Sequence, residues 1–246
     1  LLSAVLIYFG YQALGGLAAF AISGFVGYLV GYTFIRRASL KNGSEVINPR
    51  PFIIYAIPVF FTTLASISFI TSDILLVRHF FPGVESGYYS FLSLLGKIIY
   101  FAATPIILVM FPLVSENHAR GERYTHFLYF SLGITVLFIV PLVSFYYLFP
   151  DTVINLFPNK NYHLIAPLLG PISVFFSLYA LNAVLTNFYL SIHKILPTVL
   201  SVVGAASQIL LLYLFHQSLS QMISISSIIS FVLLVCLLLY YPYARR

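Results

Sequence analysis

The sequence predicts an all-α, polytopic membrane helix bundle, and three observations carry that prediction. Of the 246 residues, 61% are apolar and only 7% are charged, against roughly 25% charged in an average soluble domain. The apolar positions form long continuous runs, each able to supply the about 20 residues that a membrane-crossing helix requires. A membrane β-barrel would instead show alternating segments of about 10 residues. This composition excludes an ordinary cytosolic enzyme, a disordered chain and a disulfide scaffold. The single cysteine, Cys236, permits neither an internal disulfide nor a zinc site.

The elements follow from the apolar runs and the polar breaks between them. Residues 1–9 read as the remnant of a helix. Leu1 opens inside an apolar run with no basic segment before it, so the chain reads as the C-terminal part of a longer protein. Full spans are predicted at about 13–35, 52–80, 86–113, 124–148, 163–191, 196–215 and 220–241. The breaks are a polar linker from Arg36 to Arg50, Pro82-Gly83, a charged loop from Ser115 to Arg123, a polar segment from Pro150 to Asn161, and short turns thereafter.

The basic residues orient this layout. Alternate connections hold Arg36, Arg37, Lys41 and Arg50, then Arg120 and Arg123, then Lys194, then Arg245 and Arg246. That is nine of the twelve Lys and Arg residues, against Lys160 alone in the opposite connections. Cytoplasmic loops carry such an excess, so the C-terminus is expected in the cytoplasm. The net charge of +6 is explained by this asymmetry and not by a nucleic-acid partner.

Polar residues inside spans are costly unless they face partners or water. Thr62, Ser66 and Asp73 share one helical stripe. Ser90, Ser93, Lys97, Tyr100 and Thr104 form a second; Tyr179, Asn182, Thr186, Tyr189 and His193 form a third. Two explanations stand: a shared hydrated cavity, or interhelical hydrogen bonds. With residue 84 as the centre of the connection, Asp73 and Lys97 differ in depth by about 3 Å at a rise of about 1.5 Å per residue, which predicts an ion pair across the hairpin. Arg78 lies nearer the interface, where it can snorkel. The stripe Gly15, Ala19, Ser23, Gly27 and Gly31 suits close packing of two helices, and Pro58, Pro105, Pro141 and Pro171 are candidate kinks.

No catalytic pattern emerges. The chain has no P-loop spacing, no metal-ligand cluster among its six His and no Gly-x-Ser-x-Gly elbow, so neither a metal, a cofactor nor an enzymatic activity is expected.

Residues 71–77 (Thr71-Ser72-Asp73-Ile74-Leu75-Leu76-Val77), Gly87-Tyr88-Tyr89-Ser90, Gly96-Lys97 and Phe111-Pro112-Leu113-Val114-Ser115 resemble the start of the C-terminal lobe in oligosaccharide flippases. These belong to the multidrug/oligosaccharidyl-lipid/polysaccharide (MOP) exporter superfamily. Leu190-Ser191-Ile192-His193-Lys194 resembles the end of that lobe's fourth helix, although Asn155 to Asn159 departs from the family's usual Gly. The resemblance implies three segments: the end of an N-terminal lobe (1–37), a cytoplasmic linker (38–51) and a C-terminal six-helix lobe (52–246). It implies a transporter in a prokaryotic plasma membrane that flips lipid-linked oligosaccharide, a polyprenyl diphosphate sugar, by alternating access, with membrane lipids around it and a possible coupling cation. Lys97 would then contact the cargo diphosphate and Asp73 would hold Lys97 or couple an ion. The remaining cavity candidates would be Arg78, Ser90, Ser93, Tyr100, Thr104, Asn182 and Thr186. The rivals are a multidrug/cation antiporter of the same superfamily and an integral membrane glycosyltransferase.

Overall fold

The computed structural model describes Val5 and residues 12–39, 50–157 and 160–244. Seven of its helices are long and apolar enough to cross a membrane, and no strand occurs among the described residues. The protein is therefore a multi-pass α-helical membrane protein. The remnant at 1–9 and most of the linker lie outside the described residues. The chain divides into two compact units, Leu1–Pro49 and Arg50–Arg246.

The first unit holds α1 (Gln12–Ser39). The small-residue stripe runs along it, and a Cβ built at Gly27 or Gly31 would meet nothing within 4 Å.

The second unit contains α2 (Arg50–Phe80), α3 (Gly83–Ala119), α4 (Thr125–Leu148), the short α5 (Pro150–Asn155), α6 (Ala166–Ser191), α7 (Leu196–Leu214) and α8 (Leu219–Ala244). A 3₁₀ turn at Lys160–Ile165 precedes α6. Helix α6 is the axis of the lobe and packs on α2, α3, α4, α7 and α8. Its sequence explains this position, since it carries Ser173, Ser177, Asn182 and Thr186, all buried, and polar side chains within a span turn to the bundle interior. Of its most apolar window 61% is buried, against at most 39% for any other span. Two glycines let large rings approach: a Cβ at Gly96 would fall 2.2 Å from Phe176, and one at Gly170 would fall 2.7 Å from Tyr147. Gly96 thereby seats α3 on α6, and Gly170 seats α6 on α4.

Two polar breaks are more ordered than the sequence predicts. Helix α3 continues through Ser115 to Ala119, and its 37 residues extend about 55 Å at about 1.5 Å each, well past a hydrocarbon core of about 30 Å. Its end is tied by Arg120 to Glu116 at 2.6 Å and by the Asn117 amide donating to the Leu113 carbonyl at 2.8 Å. The segment after α4 folds into α5 and the 3₁₀ turn, joined by His163 and Asp151 at 3.2 Å.

Alternation of the spans gathers the turns at 120–124 and 192–195 and the end of α8 at one end of the lobe. The hairpin at 81–82 and the turns at 156–165 and 215–218 lie at the other. Arg120, Arg123 and Lys194 accordingly share an end.

Candidate functional site

Thr62 and Ser66 of the first stripe and Tyr100 of the second line a groove between α2, α3 and α6 of about 470 Å³, a size within the roughly 300–1,000 Å³ typical of small-molecule sites. Its polar wall is Tyr55, Thr62, Thr63, Ser66, Tyr100 and Asn187, with Phe111 and aliphatic side chains completing it. No charged residue among those described lines it. Tyr55 sits five residues into α2, Leu190 one residue from the end of α6, and Phe111 eight from the end of α3. The groove therefore starts at the end of the lobe that carries Arg120, Arg123 and Lys194, and runs inward to Ile70 and Tyr100.

Local bonding fixes the wall. Thr62 pairs with Thr198 of α7 at 2.8 Å, Thr63 donates to the Val59 carbonyl at 2.9 Å, and the Tyr179 hydroxyl donates to the Ser66 carbonyl at 2.9 Å. The Tyr100 ring rests against Tyr179, with centroids 5.0 Å apart. Asn187 donates to the Ala183 carbonyl at 2.9 Å, which leaves its amide oxygen as an acceptor. The wall thus presents hydroxyl and amide groups next to aromatic rings, with no fixed charge.

The third stripe does something else. Asn182 donates to the Ser230 carbonyl at 2.8 Å, Tyr189 donates to the Leu237 carbonyl at 2.7 Å, and Thr186 meets Ser201 at 3.3 Å. These bonds bind α6 to α8 and α7. Asn182 and Thr186 are buried and do not line the groove. Gln208, which the stripes do not include, is also fully buried and donates to Ser226 at 3.2 Å and to the Phe69 carbonyl at 3.4 Å. It clasps α7 to α8 and α2.

The expected ion pair between Asp73 and Lys97 does not form among the described residues. Asp73 is wholly buried and accepts the Tyr89 hydroxyl at 2.9 Å and the Ile74 backbone N–H at 2.8 Å. The cause is the tightness of the hairpin. Helix α2 ends at Phe80 and α3 begins at Gly83, so the turn is centred between 81 and 82. Asp73 lies 8.5 residues before that centre, Tyr89 7.5 after it and Lys97 15.5 after it. At about 1.5 Å per residue, Tyr89 is level with Asp73 while Lys97 is about 10 Å deeper. Lys97 is half-buried.

The other candidates fall along the same hairpin. The exposed Arg78 donates to Ser86 at 3.2 Å, and Ser86 donates to the Gly83 carbonyl at 3.1 Å, which braces the turn. Ser90 donates to the Ser86 carbonyl at 2.8 Å and Thr104 to the Tyr100 carbonyl at 3.5 Å. Ser93 is buried with no partner for its hydroxyl among the described residues. Of the nine candidates only Tyr100 lines the groove. Tyr55, Thr63, Phe111 and Asn187 join it there, outside the candidate set.

Among the described residues no group of His, Cys, Asp and Glu could hold a metal ion. No protein-family model, curated protein or solved structure matches the chain.

Proposed function

We propose that the protein is a membrane transporter, not an enzyme, that moves lipid-linked oligosaccharide across a prokaryotic plasma membrane by alternating access, with its C-terminus in the cytoplasm. The observation that carries this reading is the uncharged groove of Tyr55, Thr62, Thr63, Ser66, Tyr100 and Asn187. Sugar hydroxyls need neutral donors and acceptors, which hydroxyl and amide side chains supply in both senses. The C–H faces of a sugar ring need flat apolar surfaces, which Tyr55, Tyr100 and Phe111 supply. The groove starts at the end of the lobe where Arg120, Arg123 and Lys194 lie, the cytoplasmic end by the excess of basic residues. Lipid-linked sugars are assembled on that side, so the groove is placed to receive them. The sequence motifs at residues 71–77 and 190–194 resemble the same class of flippase.

Export of organic cations needs an acidic, aromatic pocket. Here Asp73, the acidic residue of α2, is sealed from the groove and bonded to Tyr89. That arrangement favours a neutral, polyhydroxylated cargo at this groove.

The test is transport by the full-length protein in proteoliposomes. A fluorescent lipid-linked oligosaccharide should cross from one leaflet to the other. The groove variants Tyr100→Ala and Ser66→Leu should slow it at least tenfold while folding normally, and Thr186→Val, off the groove, should not. Equal transport by all four proteins, or none by the wild type, would overturn the reading.

A further inference from the structure

The turn after α6 joins three features at the mouth of the groove. Lys194 N–H donates to the Tyr189 carbonyl at 3.0 Å and His193 N–H to the Leu190 carbonyl at 3.1 Å, the paired bonds of a Schellman C-cap with His193 at the C′ position. That position calls for a left-handed backbone, and glycine normally fills it because L side chains resist it. His193 adopts φ 58°, the only positive φ at a non-glycine residue among those described. A strained backbone kept at one residue points to a use for its side chain.

The side chain has such a place. Its imidazole is exposed and meets the ring of Tyr55 edge-on, with centroids 5.0 Å apart. Tyr55 and Leu190, the residue three before His193, both line the groove. Lys194 follows directly, half-exposed, and its side chain forms no ion pair among the described residues. No acidic residue lies in the turn or in the groove wall. Among the described residues, Glu116 and Glu122 at this end of the lobe belong to the end of α3 and the loop after it. The mouth of the groove therefore sets an imidazole against a phenol, with a lysine next in the chain.

We infer that His193 and Lys194 form a subsite for the phosphate head group of a lipid, at the membrane interface and next to the hydroxyl-lined groove. An ammonium and a ring N–H both donate to phosphate oxygens, and the αL backbone turns the imidazole onto Tyr55 at the entrance. On the transport reading, which this inference deepens, the sugar occupies the groove while the diphosphate stays at the mouth. This gives the diphosphate contact to His193 and Lys194 in place of Lys97.

The test measures binding of a short-chain prenyl diphosphate without sugar to the full-length protein in nanodiscs of zwitterionic lipid. Binding should be saturable, and His193→Gly should weaken it at least tenfold with the melting temperature unchanged or raised, because glycine relieves the backbone. His193→Asn, which also tolerates the left-handed region, and Lys194→Gln should weaken it as well. Wild-type affinity in His193→Gly and His193→Asn would overturn the inference. Repeating the measurement with phosphatidylglycerol in the nanodisc separates the sources. Persistent binding assigns the subsite to a prenyl diphosphate, and competition near equimolar lipid assigns it to a phospholipid of the bilayer. Because the probe lacks sugar, His193-dependent binding without oligosaccharide transport would remove the cargo reading and leave the phosphate subsite standing.

Discussion

Adding one methyl group at Gly96 should loosen the contact between α3 and α6 that organises the lobe. A Cβ there would lie 2.2 Å from Cδ2 and 2.7 Å from Cε2 of Phe176. Ordinary contacts begin near 3.4 Å, so the ring must retreat by more than 1 Å. It has little room, since Phe176 is fully buried and packs on Phe175 with centroids 4.7 Å apart. Overpacking of this kind costs about 1–3 kcal/mol. Alanine also gains about 0.8–1.0 kcal/mol over glycine in a helix interior, which would mask part of the loss. Gly133 of α4 provides the reference, because it is exposed and a Cβ there meets nothing within 4 Å. The propensity gain is common to both substitutions. Gly96→Ala should therefore be less stable than Gly133→Ala by about 1–3 kcal/mol, measured by denaturant unfolding of the full-length protein in one detergent. Adding Phe176→Leu to Gly96→Ala should recover part of the difference. Equal stability of the two alanine variants would refute the close approach of α3 to α6.

Three further outcomes follow from the hairpin and the topology. Tyr89→Phe removes the hydroxyl from Asp73 and should cost about 1–2 kcal/mol, between the roughly 0.6 average inside membranes and the roughly 1.5–3 for bonds to charged groups; the cost should shrink in an Asp73→Ala background, and an undiminished cost would remove that bond. Lys97→Ala should lose far less than the about 3–5 kcal/mol expected when a buried ion pair is broken, and a loss of that size would reinstate the pair. In a Cys236→Ala background, an impermeant maleimide outside intact cells should label Asp151→Cys and spare Glu122→Cys, whereas the reverse would invert the orientation.

The spans were legible because nothing interrupts their apolar runs. Predicted and observed ends agree within four residues, except where α3 runs on through Ser115 to Ala119. A shift of that size matters little for packing and a great deal for partners. Placing the hairpin centre at 84, as the polar run from Pro82 to Ser86 suggests, made Lys97 the partner of Asp73. With Pro82 as the N-cap and Ser86 N–H bonded to the Pro82 carbonyl, the partner is Tyr89. The polar stripes were likewise visible from their three- and four-residue spacing, but their roles were not. Asn182 and Asn187 are the same residue type five positions apart, roughly 140° around a helix of about 3.6 residues per turn. One bonds α8 and the other faces the groove. Which does which depends on how α6 is rotated among its neighbours, and that is set by contacts such as Gly96 on Phe176. His193 stands in the sequence as the last member of the third stripe, and its left-handed backbone leaves no mark on composition or spacing.

The most direct measurement of the central claim uses Thr63→Cys in the Cys236→Ala protein. Thr63 is exposed, lies on the groove wall and bonds only within its own helix, so cysteine fits there. The rate of its modification by a water-soluble maleimide should fall severalfold when lipid-linked oligosaccharide is added, and should not change with ethidium. Protection by ethidium with none by the oligosaccharide would contradict the assignment of this groove to a sugar-bearing lipid.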